Sequence, residues 1–142
     1  MGLFDSKKTK EHKSHIKNLL SLCFADGNIS QSECAMVYEI GEKRLNLSRK
    51  EIEDVMKKPK KVKFVAPKNN EERYHQLWDL IILMFADGQV TRGEMDFCTI
   101  VATRLGFRPS IVPDLVKAII DAIEKGKEKE KVKSDLAEWI SN

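Results

Sequence analysis

Phe24-Ala25-Asp26-Gly27-Asn28-Ile29-Ser30-Gln31-Ser32-Glu33 and Phe85-Ala86-Asp87-Gly88-Gln89-Val90-Thr91-Arg92-Gly93-Glu94 are two copies of one segment. Aligning Asp26 with Asp87 also matches Phe24/Phe85, Ala25/Ala86, Gly27/Gly88, Ile29/Val90, Ser30/Thr91 and Glu33/Glu94. After a one-residue slip the match resumes at Ile40…Arg44-Leu45 against Ile100…Arg104-Leu105. Agreement at one offset over this length marks an internal duplication.

Each copy joins two helices. Before the first, Ile16, Leu19, Leu20, Cys23 and Phe24 recur at three- and four-residue steps, one face of a helix running from about Lys10 to Ala25. Asp-Gly closes such a helix, because glycine takes the left-handed conformation without steric cost. Ser30-x-x-Glu33 and Thr91-x-x-Glu94 open the next helices as capping boxes, and Ser48-x-x-Glu51 opens a third. The helix after Ser30 presents Met36, Val37, Ile40, Gly41 and Leu45. The helix after Thr91 presents Phe97, Cys98, Val101, Ala102 and Leu105.

The chain divides accordingly. Residues 1–8 read as a loose leader, about 10–57 as repeat one, 57–69 as a basic linker and about 70–124 as repeat two. In repeat two, Asn69 or Asn70 caps a helix carrying Tyr74, Leu77, Trp78, Ile81, Ile82, Met84 and Phe85. Gly106 closes the helix after it. Another helix, from about Ser110 to Glu124, takes Pro113 in its first turn. Lys127 to Lys133 reads as a solvated run, after which Ser134 caps a C-terminal helix at about 134–141. No useful length alternates with period two. The expected fold is all-α: a single-domain bundle of about seven helices with two pseudo-twofold related halves.

Composition narrows the function. A chain of 142 residues, 42% hydrophobic and 33% charged, is long enough to bury one sizeable core. Three cysteines without CxxC spacing, and no signal peptide, fit reduced thiols in a cytoplasmic protein. The longest apolar run, Leu80 to Ala86, is too short to span a bilayer. GxSxG, HExxH, P-loop and GxGxxG patterns are absent, so no catalytic residue is nominated and a non-enzyme is expected.

The repeated motif resembles the back half of a calcium-binding EF-hand loop. With Asp26 at loop position 5, Gly27, Ile29 and Glu33 fall at positions 6, 8 and 12 as required. Positions 1 and 3 are then Leu22 and Phe24 in one copy and Leu83 and Phe85 in the other. None of the four has a side-chain oxygen, which excludes an ordinary EF-hand.

Two readings remain. Helix capping alone accounts for every residue type in the motif. Alternatively, a pseudo-twofold packing brings the two turns together, so that Asp26, Glu33, Asp87 and Glu94 form one site. Four adjacent carboxylates repel unless a hard divalent cation, Ca²⁺ or Mg²⁺, sits among them. No other cofactor is expected.

Two copies of an apolar helix ending in Ala-Asp-Gly, followed by a hydrophobic residue, a glutamate and an amphipathic helix, resemble the tellurite-resistance TerB-like family. They are also similar to the TerB-like region of DjlA-type co-chaperones. The resemblance runs from about Ile16 to Ile123 and implies a compact bundle of about seven helices. It further implies a bacterial protein of the tellurite and chemical stress response, whose acidic residues correspond here to Asp26, Glu33, Asp87 and Glu94 as metal ligands. Ser32 is matched by Gly93, and repeat one has one extra residue before Arg44, so an exact twofold site is not implied. The J-domain His-Pro-Asp sequence is absent.

The expectation is thus a binding or scaffolding module with an unidentified protein partner, its alternative a metal-independent protein-interaction adaptor. His12 and His15, three residues apart, read better as a solvated polar face than as half a zinc site, which needs four ligands. Lys57-Lys58-Pro59-Lys60-Lys61-Val62-Lys63 reads first as a solvated linker, and only then as a contact for nucleic acid or an anionic surface.

Overall fold

The computed structural model describes residues 5–86, 88 and 90–141, without the side chain of Asp26. Among the described residues there are eight α-helices and no strand. They are α1 (Lys7–Cys23), α2 (Gln31–Glu39), α3 (Arg49–Lys57), α4 (Asn70–Met84), α5 (Arg92–Leu105), α6 (Val112–Glu124), α7 (Lys129–Asp135) and α8 (Ala137–Ser141). One contiguous core draws on both repeats, from Ile16, Leu19 and Val37 to Leu80, Val101 and Ile119. The protein is a single-domain helical bundle.

Local chemistry explains the helix starts. Ser6 accepts a hydrogen bond from the Thr9 amide at 3.1 Å, so α1 begins earlier than its apolar periodicity suggests. Asn69 caps α4, accepting from the Glu72 amide at 2.6 Å. Helix α1 packs against α4. It also meets α5, while α4 meets α2. The repeats thus contact each other reciprocally, each first helix touching the other repeat's second.

Helix α2 runs into a π-helical turn at Ile40–Arg44, where the Leu45 amide bonds the Ile40 carbonyl at 3.0 Å. A π turn holds one residue more than an α turn, and that residue is the extra one in repeat one. Val37/Cys98, Ile40/Val101 and Gly41/Ala102, all buried, share the separation of Asp26 and Asp87. From the buried pairs Leu45/Leu105 and Leu47/Phe107 onward the separation is one residue shorter. The slip therefore lies between Gly41 and Leu45. Pairing Ile40 with Ile100 was a sequence coincidence: Ile40 is 6% exposed and Ile100 is 59% exposed.

The C-terminus also differs from expectation. Helix α7 starts at Lys129 inside the expected solvated run, and the chain breaks at Leu136 before α8. Val132, the one apolar side chain in that run, is buried, and the Tyr74 hydroxyl donates to the Lys129 carbonyl at 2.7 Å. No helix among the described residues is long and apolar enough to cross a membrane.

Candidate functional site

Where both are described, the two joints close alike at their glycines. A tight turn follows α1 at Phe24–Asp26, and the Gly27 amide bonds the Phe24 carbonyl at 2.9 Å. In the second joint the Gly88 amide bonds the Phe85 carbonyl at 3.1 Å. Both glycines have positive φ, 100° and 82°, where a side chain is strained.

Both capping boxes form. Ser30 Oγ accepts from the Glu33 amide at 3.1 Å, and Glu33 Oε1 accepts from the Ser30 amide at 2.8 Å. For Thr91 and Glu94 the corresponding distances are 3.1 and 3.0 Å. The third box, Ser48 and Glu51, has the same bonds at 3.1 and 2.9 Å.

Burial separates them. Glu33 is 3% exposed and Glu94 0%, whereas Glu51 keeps contact with solvent. Capping does not require a buried carboxylate, and burying one is costly. Cys98, one turn beyond Glu94, places its sulfur 3.7 Å from Met84 Sδ; burial, with the Glu94 charge added, pushes its thiol pKa up.

The turn Phe24–Asp26 packs against α5, whose first turn carries Glu94. The structure therefore brings the first joint to the helix that the second one opens. Asp87 and the side chain of Asp26 lie outside the described residues. Among the described residues no three His, Cys, Asp or Glu side chains are placed to hold a metal.

A second polar centre lies between α1, α4 and the π turn. Asp79 is 2% exposed; it accepts from His15 Nε2 at 2.8 Å and from Arg44 Nε at 2.6 Å, both on Oδ2. The Arg44 guanidinium also straddles Glu72, with Nη1 and Nη2 at 3.4 and 3.3 Å from its two oxygens. Burial raises the Asp79 pKa, but His15 and then Arg44 outweigh that and hold it below the usual aspartate value. His15, expected on a solvated face, is fully buried; its Nδ1 has no hydrogen-bond partner among the described residues. A cleft of about 470 Å³ beside this centre is lined by Lys7, Lys8, His12, Glu71, Glu72 and His75, among others. Burial is the first cause of lowered pKa values for both His12 and His75.

The sequence does not announce this centre, because its partners are far apart along the chain. One signal was present. Asp79 stands among apolar residues, Leu77-Trp78-Asp79-Leu80-Ile81, just before the longest apolar run, and its counterpart in repeat one, Asn18, is also polar and buried. Comparison with family models, curated proteins and solved structures finds no match.

Proposed function

We propose that the protein is a non-enzymatic binding module of the TerB-like kind, with the two joints forming one divalent-cation site. Asp26, Glu33, Asp87 and Glu94 are the ligands in this reading, and the bundle around them is a stress-response scaffold. The observation that carries the cation is the burial of Glu33 and Glu94, set against the solvent contact of Glu51 in a chemically equal box. In this reading the cation adds positive charge beside two buried carboxylates that already accept the capping hydrogen bonds. All-oxygen donors suit Ca²⁺ or Mg²⁺. Packing of the first turn on α5 supports convergence of the joints. The stress-response assignment rests on the family resemblance alone.

Phe24 favours a second reading, a metal-independent adaptor. It is 54% exposed, whereas its counterpart Phe85 packs against the core. An exposed aromatic at the joint is the kind of anchor a protein partner uses.

Calorimetric titration with Ca²⁺, Mg²⁺ and Mn²⁺, alongside the amide NMR signals of Gly27 and Gly88, separates the two. The cation reading expects both glycines to shift, Glu33→Gln or Glu94→Gln to abolish the response, and Glu51→Gln to preserve it. No heat and no shift with any of the three ions leaves the adaptor.

A further inference from the structure

The densest acid-free run of positive charge lies in one place. Between Val55 and Asn70 there are six lysines and no acid, while the whole chain has a net charge of +3. The remaining residues therefore carry a net −3. Lys57, Lys58, Lys60, Lys61 and Lys63 are all exposed, and none of them is in an ion pair among the described residues. Other lysines do pair, including Lys13 with Asp5 and Lys133 with Glu71 and Glu130.

The tract is ordered. It leaves α3 through the Lys58 amide bond to the Asp54 carbonyl and makes a 3-10 turn at Pro59–Lys61. It is then fastened to α1: Lys17 Nζ donates to the Val62 carbonyl at 2.7 Å, and the Val65 amide donates to Ser14 Oγ at 2.8 Å. Val62 and Phe64 pack against the core, and the Arg104 guanidinium covers the Phe64 ring at 3.9 Å from its centroid. The apolar side chains face inward and the lysines outward, on a backbone that need not be ordered on binding.

We propose that the Lys57–Lys63 tract docks on the phosphate backbone of double-stranded nucleic acid, without reading bases. Binding of this kind needs only placed cations that release counterions from a dense line of phosphates. A single-stranded partner calls for aromatic faces on which bases stack, and the one ring here is covered by Arg104. Stable attachment to an anionic membrane calls for a second, apolar or acyl signal beside the basic one, and the apolar side chains of this tract are turned away.

The test is fluorescence anisotropy with a labelled mixed-sequence DNA duplex of about 25 base pairs, titrated at about 50 mM salt and upward. Binding is expected to weaken with salt along a log–log slope of about −4, the value for four or five neutralised phosphates. Replacing Lys58, Lys60 and Lys61 together by Gln is expected to weaken binding at least about tenfold and to flatten the slope by about 3. The matched control replaces Lys117, Lys125 and Lys127 by Gln, three exposed lysines elsewhere, and is expected to stay within about twofold of the parent. Thermal melts of both variants establish that each is folded. Three results overturn the proposal: no binding at the lowest salt, equal losses in the two variants, or binding to vesicles of phosphatidylserine and phosphatidylcholine without binding to the duplex.

Discussion

Arg44 and Asp79 belong to different repeats, yet Arg44 Nε lies 2.6 Å from Asp79 Oδ2, the oxygen that also receives His15 Nε2. Arg44 is the last residue of the π turn, the turn that carries the residue repeat two lacks. In repeat two α5 stays α-helical to Leu105, and Arg104 lies over Phe64 instead of joining a buried ion pair.

The first prediction concerns that pair. Asp79→Asn removes the charge while preserving the shape, and leaves Arg44 and His15 facing a neutral amide. Breaking a buried pair on one side costs about 3 kcal/mol or more. Urea denaturation should show a loss of that size; one below about 1 kcal/mol would mean that the pair contributes little.

Acid should destabilise the protein in two steps. The folded-state pKa values of His12 and His75 lie below the ordinary 6.5, first through burial, with Arg44 adding to both. Below that value the unfolded chain binds more protons, so this stability is complete at neutral pH and declines as pH falls through about 6.5. Asp79, held below its ordinary 3.8, contributes stability that is lost only as pH falls beneath that value. The urea midpoint should therefore start to fall as the pH drops through about 6.5, then fall again below about 4. His12→Gln with His75→Gln should remove the first fall and leave the second.

Gly41 and Ala102 are equivalent positions with unequal room. A Cβ at Gly41 would stand 2.6 Å from Ile52 Cδ1 and 3.1 Å from Ile16 Cδ1, both on fully buried side chains. Gly41→Ala gains helix propensity of about 1 kcal/mol, but the overpacking costs about 1–3 kcal/mol. A net loss is expected. Ile52→Val removes the nearest atom, so the double variant should be more stable than the sum of the single effects predicts. Strict additivity would show that the clash is relieved elsewhere.

Thiol labelling should find one cysteine ahead of the others. Cys34 has partial solvent access, while Cys23 and Cys98 are buried and burial raises the Cys98 pKa. Ellman's reagent should titrate one thiol in the native protein and three in denaturant. Cys34→Ser should abolish the native signal; fast release of two or three native thiols would contradict the packing.

Much of the fold is legible without coordinates because its signals are local. A capping box joins residues three apart, and the sequence names Ser30/Glu33, Ser48/Glu51 and Thr91/Glu94, all of which form. The apolar stripes of α1, α4 and α5 likewise follow from helical periodicity. The expected C-terminal helix at about 134–141 shows where such reasoning stops. Nothing local in Lys129–Lys133 announces that Val132 is buried or that Tyr74, from another helix, fastens that turn.

The sequence by itself determined an all-helical chain, a duplicated joint and the residues that start and stop its helices, since these depend on backbone hydrogen bonds within one turn. Only the tertiary structure decided which capping carboxylates are buried, where the extra residue of repeat one is absorbed, and that Asp79 meets Arg44 and His15. Those outcomes depend on which faces of α1, α4 and α5 pack together. That choice comes from the shared core, and no short stretch of chain contains it.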